Sequence, residues 1–245
     1  MTSTKLKIIA CITMLIDHLG YTFFMQYSSL RIIGRIAFPI FAFLIAEGYY
    51  HTHDVKKYFK RLIIFGLISQ IPYALFSNFY LFMYDSKYFT DISMYVNDFN
   101  IFFTLALGLL AIYMYDKHKK IGIIALIVLS VLIEVFKIPI EYSYFGIFII
   151  LGFYVFRDSF WKQSLSLVII TSLYHVRLIL VRILIRNGTI QDFTPYMFTQ
   201  FWCVLALIFI YLYNGKKGRD IKYIFYAFYP VHLLIIFATI YILYA

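Results

Sequence analysis

Residues 15–18 read Leu-Ile-Asp-His, and residues 31–39 read Arg-Ile-Ile-Gly-Arg-Ile-Ala-Phe-Pro. Each stretch lies in or beside an apolar run of about 20 residues, the length that a helix needs to cross a bilayer. Hydrocarbon penalises an ionisable side chain by roughly a few kcal/mol, so such residues commonly mark a functional site that faces other helices, with a structural ion pair as the alternative. The sequence therefore predicts a membrane-spanning helical fold arranged around Asp17, His18 and Arg35.

The composition of the whole chain is that of an integral membrane protein. Of its 245 residues, 63% are apolar and 14% are charged, with a mean hydropathy of +0.82, whereas a soluble domain is about 25% charged. The 27 Phe and 24 Tyr residues suit lipid-facing surfaces and interfacial belts. Cys11 and Cys203 lie inside apolar runs and are interpreted as small buried hydrophobes, not as a disulfide or a metal pair.

Nine apolar segments are candidate spans, so we expect an all-α, polytopic helical bundle in a single domain over residues 1–245. The longest connection, from Ser77 to Asn100, is aromatic and acidic and is expected to lie on the membrane surface as a loop or a short interfacial helix. The predicted spans are Leu6–Met25, Leu30–Tyr50, Phe59–Phe76, Ile101–Tyr115, Ile121–Phe136, Tyr144–Phe156, Leu165–Ile185, Pro195–Tyr213 and Tyr223–Tyr244.

The positive charges predict the orientation of these spans. With the N-terminus inside and nine crossings, 15 of the 22 Lys and Arg residues fall on the inner side, four fall outside and three lie within helices. Such a bias is typical of loops on the cytoplasmic side. We therefore expect a multi-pass protein of the cytoplasmic membrane, N-in and C-out. The net charge of +10 is explained by topology, so no nucleic-acid partner is expected.

The predicted depths place most of the polar residues in the middle and outer half of the membrane. At about 1.5 Å per residue, Asp17 and His18 lie roughly 17 Å from the inner end of the first span, and Arg35 lies about 8 Å below the outer surface. His232 is near the middle, whereas Glu47 is near the inner surface. The set could line a cavity that opens to the outside.

Spacing indicates which of these side chains share a helix face. Arg31 and Arg35 are four residues apart, and His175 and Arg182 are seven apart, so each pair lies on one face. Pro39 lacks a backbone N–H and is expected to kink the second span below Arg35.

A histidine beside a carboxylate suits general base catalysis, because the carboxylate can orient the ring and stabilise the imidazolium. Arginines nearby could hold a phosphate or a carboxylate, or stabilise an oxyanion. Neither Ser nor Cys lies in a nucleophile motif, and no metal is expected because the histidines lie on separate helices. The same residue types are equally compatible with a proton-coupled transporter.

At these residues the chain resembles the TraX family, which includes the conjugation protein responsible for N-terminal acetylation of F-type pilin. The shared motifs are longest and most specific in the first 75 residues and again at Phe225–Leu233. It is carried by Leu6–Ala10 with Leu15–His18, Leu30–Phe43 with Glu47–Tyr49, Arg61-Leu62 with Ser69–Pro72, Asn100–Phe102 with Thr104, Glu141-Tyr142 with Gly146, and Phe228–Leu233.

The resemblance implies an acetyltransferase that uses cytosolic acetyl-CoA to modify an exported acceptor, either pilin or another peptide or glycan. The family is also similar to the wider membrane acyltransferases, in which a histidine of the first helix and a nearby arginine are catalytic. Carried over, His18 would be the base, Asp17 its orienting partner and Arg35 the group that holds donor phosphate or acyl oxygen. His232 would form a second polar wall of the site.

The other candidates are expected to contact substrate. Where the family pattern is Asp-Tyr-Gly, this chain has Glu141-Tyr142-Ser143, which keeps the charge. The full set of predicted substrate-binding residues is Arg31, Glu47, Glu141, Tyr142, His175, Arg182 and His232.

A transporter or flippase that uses the intramembrane Asp, His and Arg residues is the main alternative to the enzyme. Many transporters have internal repeats, but Asp17-His18 and the 31–39 stretch have no counterpart in the second half of the chain. The absence of a repeat favours the enzyme. A structural assembly factor is a third possibility, in which the charged residues would only pair with one another.

Overall fold

The computed structural model describes residues 1–184, 195–219 and 221–244, and the regular structure of those residues is helical, as predicted. Among the described residues, Ser86–Phe89 and Pro195–Leu205 form 3₁₀-helices. The α-helices are α1 (Ser3–Thr22), α2 (Ser28–Gly34), α3 (Ala37–His51), α4 (Val55–Ser77), α5 (Phe79–Tyr84), α6 (Ser93–Val96), α7 (Ile101–Lys117), α8 (Lys119–Val135), α9 (Ser143–Val155), α10 (Phe160–Leu184), α11 (Ala206–Tyr211) and α12 (Lys222–Tyr244).

Four helical segments are long and apolar enough to cross a membrane: α2 together with α3, α4, α10 and α12. The other predicted spans are shorter or more polar. The 17 residues of α7 or α8 extend about 25 Å and the 13 of α9 about 20 Å, while α1 carries Lys5, Lys7 and Asp17. A membrane protein is thus confirmed, whereas the count of nine spans and the N-in orientation stay predictions.

The second predicted span is interrupted at Arg35–Ile36, between α2 and α3. Pro39, in the first turn of α3, cannot donate to the carbonyl four residues earlier, which is that of Arg35, and its ring crowds that carbonyl. The chain turns there instead, and the Arg35 and Ile36 amides donate to Ile32 O and Ile33 O at 3.2 Å. The interruption that Pro39 predicts is therefore present, but at Arg35 and not below it.

The chain divides into two compact units, each built from two separate stretches of sequence. Unit 1 comprises Met1–Glu47 and Phe148–Asp220, and unit 2 comprises Gly48–Ile147 and Ile221–Ala245. The predicted single domain over residues 1–245 stays a prediction.

Unit 1 is built on the close packing of α1 against α2. At Gly20 of α1, an added Cβ would lie 2.7 Å from the Cβ of Leu30 on α2, so the missing side chain allows the two helices to approach. The 3₁₀-helix Pro195–Leu205 packs on both α2 and α10. It thereby extends the α1–α2 pair into a larger helical unit.

The N-terminus of unit 1 is bound to the segment that follows α11. The Asn214 amide donates to Met1 O at 2.9 Å, and the Thr4 hydroxyl donates to Lys217 O and Arg219 O at 3.0 and 2.7 Å. The start of α1 and this segment therefore lie at the same end of the unit. Two segments lie on the same side of a membrane when the chain between them crosses it an even number of times. The predicted topology also places the start of α1 and the segment after α11 on one side.

Unit 2 is organised around α4, which packs on α7 and α12. Asn100 is fully buried and joins α4 to α7. Its side-chain nitrogen donates to Gly66 O and to Gln70 Oε1, both at 2.8 Å, and its side-chain oxygen caps α7 by accepting from the Phe102 amide at 3.1 Å. The segment between Ser77 and Asn100 folds into α5, a 3₁₀-turn and α6, short helices of the kind that its composition predicts.

Candidate functional site

Asp17 is the centre of a buried ion-pair cluster in unit 1. Its Oδ2 accepts from Arg31 Nη1 at 2.8 Å and from Arg35 Nη2 at 2.6 Å, and Arg31 Nη1 also donates to the Asp17 main-chain oxygen at 3.1 Å. The exposed fractions of the three side chains are 10% for Asp17, 18% for Arg31 and 16% for Arg35. Both arginines meet one carboxylate, which agrees with their spacing of four residues along the chain.

Gly34 makes room for this carboxylate. A Cβ at position 34 would lie 2.1 Å from Asp17 Oδ1 and 2.2 Å from Asp17 Cβ, far inside van der Waals contact. Asp17 Oδ1 is buried and has no hydrogen-bond partner among the residues that the structure describes. One carboxylate oxygen is therefore engaged by two cations, while the other can still accept a hydrogen bond.

Within the described residues, the cluster contains two guanidinium groups and one carboxylate. The neutral amide of Gln200 provides a further contact, since Gln200 Oε1 accepts from Arg35 Nη1 at 3.2 Å. Arg35 Nε also donates to Arg31 O at 3.3 Å, and the Arg31 guanidinium lies 5.1 Å from the centre of the Tyr21 ring. Guanidinium groups in a largely buried place can bind an anion or stabilise a developing oxyanion.

His18 follows Asp17 on α1 and is half-buried. Successive residues of a helix point about 100° apart, and the Asp17 carboxylate is directed at α2 and its arginines. The hydrogen bonds recorded for that carboxylate are to the arginines, so the idea that Asp17 orients the His18 ring stays a prediction. The base role of His18 stays a prediction as well.

His175 lies on α10 against the same 3₁₀-helix that carries Gln200. It is buried, its ring is stacked on Phe198 at 5.7 Å between centroids, and its Nδ1 bonds to Thr171 O at 2.7 Å. A carbonyl can only accept, so Nδ1 carries the proton and Nε2 is an acceptor in the neutral ring. Nε2 is buried without a hydrogen-bond partner in the described part of the chain. Arg182 lies two turns further along α10, half-buried.

Glu47 belongs to a second ion pair of unit 1. Its Oε1 accepts from Arg157 Nε at 3.0 Å, and its carboxylate faces the hydroxyl of Tyr213. Glu47 lies ten residues along α3 from its first residue, Ala37, a rise of about 15 Å, and Arg35 precedes that helix. The structure therefore gives Glu47 a pairing partner far from the Asp17 cluster, and its predicted contact with substrate is untested.

The remaining candidates lie in unit 2. Glu141 and Tyr142 are in the loop before α9, where the Glu141 amide donates to Phe99 O at 3.1 Å and the Thr104 hydroxyl donates to Glu141 O. Ser143 has φ +48°, in the left-handed region that suits glycine. A glycine would adopt this backbone conformation without strain, and the resemblance predicts a glycine at this position.

His232 is buried on α12. Its Nδ1 bonds to Phe228 O at 2.7 Å and its ring stacks on Phe228, with centroids 4.7 Å apart. The ring also meets Tyr229 edge-on at 5.8 Å. The surroundings of His232 in its own unit are thus mainly aromatic, and its role as a wall of the site is untested.

Cys11 and Cys203 are free and buried, as predicted. The Sγ of Cys203 lies 3.4 Å from the Thr171 hydroxyl, one turn from His175. In the described ranges, no group of three or more His, Cys, Asp or Glu residues could hold a metal ion.

Sequence reasoning missed three residues that shape these clusters: Gly34, Gln200 and Arg157. Gln200 carried a usable signal, because it is a polar side chain within a predicted span. Arg157 lies between two predicted spans, where its charge indicates only the topology of the chain. The function of Gly34 depends on which helix packs against it, and a single sequence does not contain that information.

Comparison with known proteins gives one family and two relatives. The sequence profile of the family described as TraX protein matches residues 2–240. A protein of Dichelobacter nodosus named probable fimbrial assembly protein FimC, serogroup H1, is 27% identical over 241 residues, which are 95% of this chain and 93% of that one. The uncharacterised protein RP591 of Rickettsia prowazekii is 44% identical over 66 residues, 27% of this chain and 25% of that one. No solved structure matches the chain.

Proposed function

This chain belongs to the TraX family, and from that premise we propose that it is an integral membrane acetyltransferase. Its donor is acetyl-CoA, and its acceptor is an exported molecule: the N-terminal amine of a pilin, or another peptide or glycan. It lies in the cytoplasmic membrane with several crossings, N-in and C-out. The name of the Dichelobacter nodosus relative, a probable fimbrial assembly protein, supports an acceptor connected with pili.

The observation that carries the proposal is the buried cluster of Asp17, Arg31 and Arg35, with His18 following Asp17 on α1. Acyl transfer is accelerated by a base for the acceptor and by a donor that stabilises the oxyanion. The imidazole of His18 and the guanidinium groups of α2 and its C-cap are residue types suited to these two roles.

In the proposed reaction, the His18 imidazole takes a proton from the neutral acceptor amine or hydroxyl as that group attacks the acetyl carbonyl carbon. The new bond from carbon to nitrogen or oxygen forms a tetrahedral intermediate, whose negative oxygen is stabilised by a guanidinium group. When the intermediate collapses, the carbon–sulfur bond breaks and CoA leaves as a thiolate. The imidazolium then gives its proton to that thiolate, which restores the base.

Arg31 is better placed than Arg35 to contact substrate. Arg35 already donates from Nε, Nη1 and Nη2, whereas the hydrogen bonds of Arg31 within the described chain all come from Nη1. A guanidinium has five N–H donors in a fixed fork, so Arg31 keeps an edge for a carbonyl oxygen or a phosphate. We assign this contact to Arg31 and assign to Arg35 the holding of Asp17 and Gln200.

A proton-coupled transporter is the second candidate function. It is favoured by two buried acceptors of unit 1 that lack a donor among the described residues, Asp17 Oδ1 and His175 Nε2. Groups of this kind can take up and release protons during transport.

The two candidates are separated by acetyl transfer. Membranes containing the wild-type chain, His18→Ala or the control His118→Ala receive acetyl-CoA labelled in the acetyl group, together with pilin peptide and glycan fractions. His118 is an exposed histidine between α7 and α8, so His118→Ala is a control that removes an imidazole away from the proposed site. Label that enters an acceptor and depends on His18 supports the enzyme. Uptake that follows a pH gradient, without release of CoA, supports the transporter.

A further inference from the structure

Arg61 of α4 occupies an aromatic cage in unit 2. Its guanidinium carbon lies 5.5 Å from the centre of the Tyr58 ring and 5.7 Å from that of Tyr226 on α12. The Tyr226 ring is itself held by Phe65, which stacks on it at 4.8 Å, and by Phe102 at 5.9 Å. Aromatic faces attract a cation, and the Tyr226 hydroxyl is also hydrogen-bonded to the Arg61 side chain. A guanidinium has five N–H donors, so others stay available for a ligand.

Arg61 has no carboxylate partner within the ranges that the structure describes. No ion pair includes it, and its buried Nε makes no hydrogen bond there. Buried charges in proteins are as a rule paired and hydrogen-bonded, because desolvation is costly. Three arginines of unit 1 follow this rule, since Arg31 and Arg35 pair with Asp17 and Arg157 pairs with Glu47. Arg61, which lacks such a carboxylate among the described residues, is therefore suited to bind an anionic ligand.

The cage is held at a fixed position. A Cβ at Gly48 would lie 2.8 Å from the Tyr58 hydroxyl, so Tyr58 is lodged against the backbone of α3. The next residue, Tyr49, donates from its hydroxyl to Asp116 at the end of α7 at 2.9 Å. These contacts bring the starts of α4 and α12 together with the end of α7.

This end of unit 2 is strongly basic. The surrounding lysines are topology signals by themselves, but they would also attract an anion towards Arg61. They lie in the first turns of α4, at the junction of α7 and α8 and at the start of α12, namely Lys56, Lys57, Lys60, Lys117, Lys119, Lys120 and Lys222.

We propose that Arg61, between Tyr58 and Tyr226, binds the phosphate group of a ligand that approaches from this basic end. A guanidinium fork matches two phosphate oxygens, whereas an ammonium offers only a point charge. The phosphate can come from the nucleotide part of the CoA donor or from the headgroup of an anionic phospholipid. The first source rests on the proposed acetyltransferase function, and the second does not.

The test measures binding without turnover. Purified protein in neutral detergent is titrated with CoA, and in a parallel arm the retention of phosphatidylglycerol from mixed micelles is measured. The variants are Arg61→Gln, Arg61→Lys and the control Lys137→Gln, which removes an exposed charge beyond the end of α8, outside the basic end. Size-exclusion profile and thermal unfolding show whether each variant is folded.

If CoA is the ligand, Arg61→Gln weakens CoA binding by about tenfold or more, the loss expected for a charged hydrogen bond. Arg61→Lys keeps the charge and supports the fold, yet it loses part of the affinity because the fork is gone. Lys137→Gln changes binding by about twofold or less, since an exposed charge away from the basic end is screened. Selective loss of phosphatidylglycerol, with CoA binding unchanged, supports the phosphate site and assigns it to lipid.

Unchanged CoA and phospholipid binding in folded Arg61→Gln overturns the site. The proposed function is judged separately. The protein could bind CoA in an Arg61-dependent way and yet transfer no acetyl group. That result would support the phosphate site and contradict the proposed acetyltransferase function. Acetyl transfer with an unchanged KM for acetyl-CoA in Arg61→Gln overturns the assignment to the donor and leaves the enzyme standing.

Discussion

Replacing Gly34 with alanine tests the geometry of the Asp17 cluster. The new methyl would lie 2.1 Å from Asp17 Oδ1, whereas ordinary contact begins at 3.4 Å, so the carboxylate must retreat by 1.3 Å. The bonds from Arg31 and Arg35, now 2.8 and 2.6 Å, would lengthen towards about 4 Å, beyond hydrogen-bond range. The expected result is loss of a buried ion-pair cluster.

The magnitude follows from two opposing effects. Breaking a buried ion pair costs about 3–5 kcal/mol, and Gly→Ala inside a helix returns about 1 kcal/mol through backbone entropy. The net loss is about 2–4 kcal/mol. For a chain of this length, one kcal/mol shifts the Tm by about 2–4 °C, so we expect the Tm of Gly34→Ala to fall by about 5–15 °C.

The assay is thermal unfolding in detergent, with Gly66→Ala as a matched helical control. A Cβ at Gly66 would meet only side-chain atoms, at 3.3 Å or more, so this variant should be near neutral. In an Asp17→Gly background the colliding atoms Oδ1, Cγ and Cβ of residue 17 are gone, and Gly34→Ala should then cost about 1 kcal/mol or less. A Gly34→Ala protein as stable as the wild type, or a cost that persists without the Asp17 side chain, would refute this geometry.

Three further predictions concern other parts of the chain. A double-mutant cycle of Glu47→Gln and Arg157→Gln should give a coupling of about 1–2 kcal/mol in unfolding experiments, and strictly additive effects would contradict the pair. Ser143→Gly should raise the Tm by about 2–4 °C by relieving strain of about 1 kcal/mol; a lower Tm would argue against the left-handed backbone at that position. The amide of Lys87 donates to Asp85 and lowers the pKa of that carboxyl. The contact therefore stabilises this turn at any pH above the usual Asp pKa. The stabilisation is lost as the pH falls through the lowered pKa of Asp85. Hydrogen-exchange protection of the Lys87 amide should therefore decrease in strong acid, and constant protection across that range would count against the contact.

The pairing in unit 1 could be predicted in part from the sequence, because helical spacing alone places Arg31 and Arg35 on one face. The partner of that face could only be guessed. Asp17 suits the charge, but the close fit depends on Gly34 and on the approach of α1 and α2 at Gly20. Those contacts come from tertiary packing, which no local pattern encodes.

The helix boundaries, like the ion pairs, could be predicted only in part from the sequence. Composition and apolar runs predict a helical membrane protein, and Pro39 predicts an interruption of the second span. The position of the break depended on the carbonyl that a proline leaves without a donor, which is that of Arg35. The shorter helices α7, α8 and α9 could not be bounded from hydropathy, because their ends are defined by caps and turns such as the buried Asn100 and the left-handed residues near Tyr142.

The pairing partners over long sequence distances were also out of reach. Glu47 and Arg157 are 110 positions apart, and Arg35 and Gln200 are 165 apart. Charge complementarity was a hint in the first case, but several other arginines would have satisfied it equally well. In the sequence, Arg61 looks like the neighbouring lysines, whose charges indicate topology. Only the rings of Tyr58 and Tyr226, which the structure places around its guanidinium, distinguish it from them.

The most direct measurement is acetyl transfer by the purified protein in liposomes, with labelled acetyl-CoA and a pilin peptide whose N-terminal amine is free. Wild type and His118→Ala should label the peptide and release CoA in equal amounts, and His18→Ala should be slower by about 100-fold or more, the contribution of a general base. Equal labelling by folded wild-type and His18→Ala protein would contradict the role of His18. No labelling and no CoA release by the wild type, with any of the candidate acceptors, would contradict the acetyltransferase itself.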